Sequence, residues 1–190
     1  MERYEGINFN KRRYDMSGNV NTSQVISFGG GFEWGDQIYF DEANPFLGRE
    51  NGLRAYINFR PVSRFAPNIN IRTSRFTDPN RFFIPGLNDG ERSEDGEIFD
   101  VKIFRAQSTY QFTNRLLFRA ITEFDTYEET LGLNFLVTYR VSAGTVFYIG
   151  CDDHYQQRDQ LLQDQVNIAG SGYQRTNRAI FTKFQYLFRY

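Results

Sequence analysis

The single histidine of this 190-residue chain sits in Cys151-Asp-Asp-His154, the densest run of side chains able to hold a metal or move a proton. A metal site would need His154, one or both of Asp152 and Asp153, and Cys151 to converge on one ion. A regular strand sends adjacent residues to opposite faces, so Asp153 and His154 cannot both turn to one side. The expectation is a solvated rim where a strand meets a loop, with no metal and no cofactor. A second set is Glu123 and Asp125, on one strand face at spacing two, followed by Glu128 and Glu129. Paired carboxylates can divide the acid and base roles of glycoside hydrolysis. Pairing with arginines such as Arg119 and Arg140 is the simpler expectation. No Gly-x-Ser-x-Gly elbow is present, and no Gly-Lys-Ser/Thr follows Gly29-Gly-Gly31. The chain therefore reads as no enzyme, with no catalytic residue to name.

These residues lie on segments that alternate as strands do. Ile180, Thr182, Phe184, Tyr186, Phe188 and Tyr190 fall on one face, and Phe181, Lys183, Gln185, Leu187 and Arg189 on the other. An apolar face ending in aromatics suits lipid and its interface, while a polar face suits a wet lumen. Earlier, Ile26, Phe28, Phe32 and Trp34 alternate with Ser27, Gly29, Gly31 and Glu33, and Leu133, Phe135 and Val137 alternate with Asn134 and Thr138. Further strands read at Leu53 to Phe59, Asn68 to Phe76, Ile98 to Phe112, Leu116 to Thr126 and Thr145 to Tyr155. Phe99, Val101 and Ile103 have the opposite parity from Phe104, Ala106, Tyr110 and Phe112, which predicts a bulge or a slip near Ile103. Val146 to Ile149 is open to either facing. The run Gln156 to Gln165, with Leu161 and Leu162, reads as a surface loop in preference to a short helix.

Connections alternate in length, as bacterial barrels require. Gln156 to Asn177, Asp78 to Glu97 and Asp41 to Asn51 are long; Ser142 to Gly144, Thr113 with Asn114, and Pro61 to Pro67 are short. Thr126 to Thr130 is a brief exception on the long side. Upstream, Tyr4 to Arg12 reads as a strand entering a turn at Asp15 to Asn19. That makes about eight to nine strands, either a complete eight-stranded barrel or, as favoured, part of a larger one, with residues 1–20 the least settled. No apolar leader core follows Met1 and Glu2, so the chain reads as a mature form or a fragment.

Composition agrees. Aromatics make up 17% of the residues, yet mean hydropathy is −0.57, which excludes a bundle of apolar membrane helices but not a barrel whose alternate residues face lipid. A net charge of −1 offers no electrostatic footprint for nucleic acid. Lone Cys151 excludes an internal disulfide.

The segments Gly29-Gly-Gly-Phe-Glu-Trp-Gly-Asp36, Asn58-Phe-Arg-Pro61, Tyr110-Gln-Phe-Thr-Asn-Arg-Leu116 and Phe181-Thr-Lys-Phe-Gln-Tyr-Leu-Phe-Arg189 resemble the C-terminal part of a family of large outer-membrane proteins of unassigned function. In that family a module similar to family-9 carbohydrate-binding domains precedes a long barrel. The resemblance, from about Asn21 onwards, implies location and fold more than activity. Any glycan contact would lie in an upstream domain that this chain lacks. The ending Tyr186, Phe188, Tyr190 also resembles the insertion signal read by the barrel-assembly machinery.

The expectation is thus an all-β, antiparallel, up-and-down transmembrane barrel segment over residues 1–190, located in the cell outer membrane and partnered by its bilayer. It would anchor, or transport for, a larger and glycan-related surface protein. Its lipid-facing residues would be Ile26, Phe28, Phe32, Trp34, Leu133, Phe135, Val137, Phe184, Tyr186 and Phe188. A soluble β-sandwich or ligand-binding barrel and a glycan-processing hydrolase are the alternatives.

Overall fold

In the computed structural model, residues 2–4, 6–40, 45–79, 96–157 and 172–188 are described. The fold is all-β. A small hairpin, β1 (Glu2–Tyr4) and β2 (Ile7–Phe9), precedes one antiparallel sheet. That sheet runs in chain order through β3 (Arg13–Asn21), β4 (Ile26–Tyr39), β5 (Phe46–Phe59), β6 (Phe65–Thr77), β7 (Glu97–Gln111), β8 (Leu116–Asp125), β9 (Thr130–Arg140), β10 (Thr145–Gln157) and β11 (Tyr173–Tyr186). Among the described residues no helix is long and apolar enough to cross a membrane, which says nothing about strands.

Alternation in the sequence becomes two continuous faces because the register keeps parity from strand to strand. The row Phe28, Ile57, Ile69, Ala106, Thr122, Leu133, Asp153, Arg178 crosses eight strands. Phe28 stands two residues beyond the first residue of β4, and Asp153 eight beyond the first of β10, a stagger of six over six steps between strands. With strand spacings of about 4.8 Å and a rise of about 3.3 Å per residue, the strands lean by about 35° from the line normal to the row of short turns.

One face carries Ile26, Phe28, Phe32, Trp34, Leu133, Phe135, Val137, Phe184 and Tyr186 together. Tyr14, Met16 and Val20 of β3 continue it. The opposite face carries Glu33, Arg54, Asn70, Arg105, Glu123, Asn134 and Asp152. Glycines on this polar side seat the residues opposite: a Cβ on Gly150 would lie 2.2 Å from the Phe181 ring, and one on Gly52 would lie 2.8 Å from Glu33 Cγ. Gly35, at φ 143°, is the point where β4 meets the Arg12 backbone closely enough to exclude a side chain.

Several expectations are corrected. Asp15 to Asn19 is no turn: these residues belong to β3, with Asp15, Ser17 and Asn19 on its polar face, and the turn lies at 22–25. Turn-forming residue types there reflect a wet strand face. Tyr4 to Arg12 is likewise no strand of the sheet but mostly the β1–β2 hairpin, joined to the sheet by Lys11 Nζ donating to Gln37 Oε1 (3.0 Å) and by the Tyr4 and Phe40 rings (5.1 Å). No bulge occurs at Ile103; the irregularity is one strand end away, between the pairs Phe76 with Phe99 and Thr77 with Glu97. Phe99, Val101 and Ile103 therefore share the polar face. There Phe99 stacks on Phe76 (5.4 Å), which also meets Tyr39 and Phe46 (6.0 and 6.1 Å). Phe76 is only 2% exposed. The face is thus dry at the long-connection end, because four aromatic rings from four adjacent strands outweigh the alternation rule.

Strand bounds shift too. Phe46 to Asn51 belongs to β5, and Pro67 to β6, where its pairing is with β7. Phe147 and Ile149 join the apolar face. Phe188 lies just beyond β11, its ring edge-on to Tyr186 at 4.6 Å. Tyr190, Arg189 and the stretch with Leu161 and Leu162 lie outside the described residues, as does most of the connection from Asp78 to Glu97.

The edge strands β3 and β11 are exposed along their whole length. Both run towards the short turns, so they are parallel to one another.

Candidate functional site

The short turns at 22–25, 60–64, 112–115 and 141–144 all lie at one end of the sheet. Adjacent to that half, the polar face holds a groove of about 700 Å³, lined among others by Ser17, Arg54, Tyr56, Asn70, Arg72, Arg105 and Glu123. Alternation aims these side chains to one side, and the glycine run opposite makes space for them. A Cβ on Gly31 would lie 2.7 Å from Arg54 Nε, and one on Gly29 would lie 2.8 Å from the Tyr56 ring.

Arg54 and Arg72 are direct cross-strand partners. Like charges placed so are destabilising unless compensated. Arg54 Nη2 donates to Asp15 Oδ2 at 2.8 Å, and Arg105 Nη1 donates to Glu123 Oε2 at 2.7 Å. The Arg72 side chain has no hydrogen bond or ion pair to the described residues. Nearby, Asn58 donates to Ser27 Oγ at 3.1 Å, and the amides of Asn58, Asn68 and Asn70 continue the chain to the groove wall. Three guanidinium groups against two carboxylates leave the groove with an excess of positive charge and donors. Such a surface can take an oxyanion.

The sequence-derived candidates are dispersed by this geometry. Asp152 and His154 share the polar face, with His154 Nε2 and Asp152 Oδ2 3.2 Å apart. Asp153 and Cys151 are on the apolar face, where Arg178 grips Asp153 through Nε and Nη2, both at 2.6 Å. No metal-holding group of three such residues occurs among the described residues. Glu123 pairs with Arg105 and not with Arg119 or Arg140, because Arg105 is its direct partner across the ladder. Asp125 Oδ1 instead accepts the amides of Tyr127 and Glu128 (2.8 and 3.2 Å), capping the turn. Arg119 Nε is buried without a hydrogen-bond partner among the described residues.

Sequence reasoning passed over Arg72 and Arg105. The signal that finds them is the placement of acids. All 23 Asp and Glu residues lie outside 16–32, 51–77, 101–122, 130–151 and 165–190. The first four of these carboxylate-free runs each contain a short turn. The polar face towards that end carries Arg119, Arg140 and Lys183, with Arg60, Arg64 and Arg115 in the turns themselves. Comparison with protein-family models, with curated proteins and with solved structures finds no match to this chain.

Proposed function

We propose that this chain is a membrane-spanning segment of an outer-membrane β-barrel, serving as anchor or transport element of a larger surface protein. The observation that carries the reading is the register, which aligns nine of the ten expected lipid-facing residues on one face. From Leu131 to Tyr139 that face runs eight residue steps, about 27 Å along the strand and about 22 Å once the lean is included. This approaches the apolar height of about 25 Å typical of such barrels. Aromatics mark both limits: Tyr110, Tyr139 and Tyr186 towards the short turns, and Tyr14, Trp34 and Phe124 towards the long connections. Beyond the second limit the face turns polar with Arg49, Asn51, Arg75 and Lys102, as an interface with headgroups requires.

Parallel edge strands favour a larger ring. Joined directly, β3 and β11 would pair in parallel, so an antiparallel ring needs an odd number of further strands between them. The resemblance to large outer-membrane proteins supports the same reading, with the short turns in the periplasm, assembly by the barrel-insertion machinery, and glycan contact left to another domain. The role is non-enzymatic.

The rival soluble sandwich would bury the apolar face under a second sheet. Instead Phe28, Phe32, Phe135 and Phe184 are exposed. Refolding the chain with and without detergent or lipid vesicles tests the proposal. The expected result is heat-modifiable electrophoretic mobility and quenching of Trp34 by brominated lipid. A monodisperse, folded protein in plain buffer would overturn it.

A further inference from the structure

We infer that the groove between Arg54 and Arg72 is a binding site for a phosphate-bearing solute. The inference deepens the transport reading above and rests on the polar face being the lumen side. Arg54 and Arg72 are cross-strand partners on the groove wall; the Arg54 head group lies over Gly31 and is held by Asp15, whereas Arg72 has no carboxylate partner among the described residues. An oxyanion in the groove would give Arg72 the charge-assisted partner it lacks, and phosphate matches the planar donor fork of arginine. Asn70 and Tyr56 supply neutral groups on the same wall. Arg105, held by Glu123, adds guanidinium donors to the same groove.

The approach to the groove has the same sign. Between the short turns and the groove the strands carry no carboxylate, so an anion entering from that end meets only cations and neutral groups. Rings of Arg and Lys are the usual means of admitting phosphate through a pore, and a groove lined by one sign of charge concentrates its counter-ion.

The test uses the full chain in detergent micelles, titrated with inorganic phosphate by calorimetry and by the shift of its urea midpoint. Wild type is expected to bind and to gain stability as phosphate is added. Arg72→Gln should weaken binding by roughly tenfold or more, the loss of one charge-assisted contact. In phosphate-free buffer the same variant should be at least as stable as wild type, since it removes a positive charge that has no carboxylate partner among the described residues. Arg72→Lys should retain part of the binding. Equal binding by wild type and Arg72→Gln overturns the inference, as does absence of binding by a chain with normal heat-modifiable mobility. Binding by a chain that folds without detergent would sink the membrane reading and leave the site standing.

Discussion

Asp153 and Arg178 stand opposite one another on β10 and β11 and form a two-pronged ion pair on the otherwise apolar face, both contacts at 2.6 Å. Asp153 is 5% exposed, so its charge depends on that partner. Cross-strand pairing of this kind holds the edge strand β11 in register, since a one-residue slip would send Arg178 to the other face. Arg178→Ala is expected to lower the urea midpoint and to loosen β11 in hydrogen exchange. Arg178→Lys should lose less, and Asp153→Ala with Arg178→Ala should cost less than the two single changes added. Additive losses would show that the pair does not act as a unit.

Adjacent positions on β9 should respond oppositely to the same charge. Phe135 lies on the apolar face and Asn134 on the polar one, opposite Asp152. In lipid vesicles Phe135→Arg should destabilise by about 2–4 kcal/mol, the cost of an arginine near the bilayer midplane. Asn134→Arg should be close to neutral in the same urea titration. Equal costs would mean that lipid does not cover the Phe135 face.

The Phe181 ring lies over Gly150, its direct partner. Gly150→Val should therefore cost about 1–3 kcal/mol through overpacking. Adding Phe181→Ala should recover part of that loss, because it vacates the space the new methyl groups need. Failure of the second change to help would place the strain in the backbone.

Phe76 contacts aromatic rings from β4, β5 and β7 at the long-connection end. Phe76→Ala should cost about 3–5 kcal/mol in equilibrium unfolding, and Phe76→Leu less. A neutral Phe76→Ala would mean that the cluster adds nothing to stability.

Much of this fold was legible because strand alternation is a local property. Leu131 to Val141 and Ile26 to Trp34 declared their faces without help from any partner. Misreadings came where polar or small residues serve a strand face instead of a turn, as at Asp15 to Asn19. They also came where apolar residues change face without a break, as at Phe99 to Ile103. In the first case the β4 ladder decides. In the second the Tyr39, Phe46 and Phe76 rings create a dry patch that no single segment reveals.

The sequence by itself determined an all-β chain, three of the four short turns and which residues alternate together, since each depends on neighbours within a few residues. Only the tertiary structure decided that Arg54 faces Arg72, that Arg105 and not Arg119 holds Glu123, and that Asp153 is gripped by Arg178. Those relationships depend on register between strands far apart in the chain, which the cross-strand hydrogen bonds and the fit of side chains over glycines select, and which no local pattern encodes.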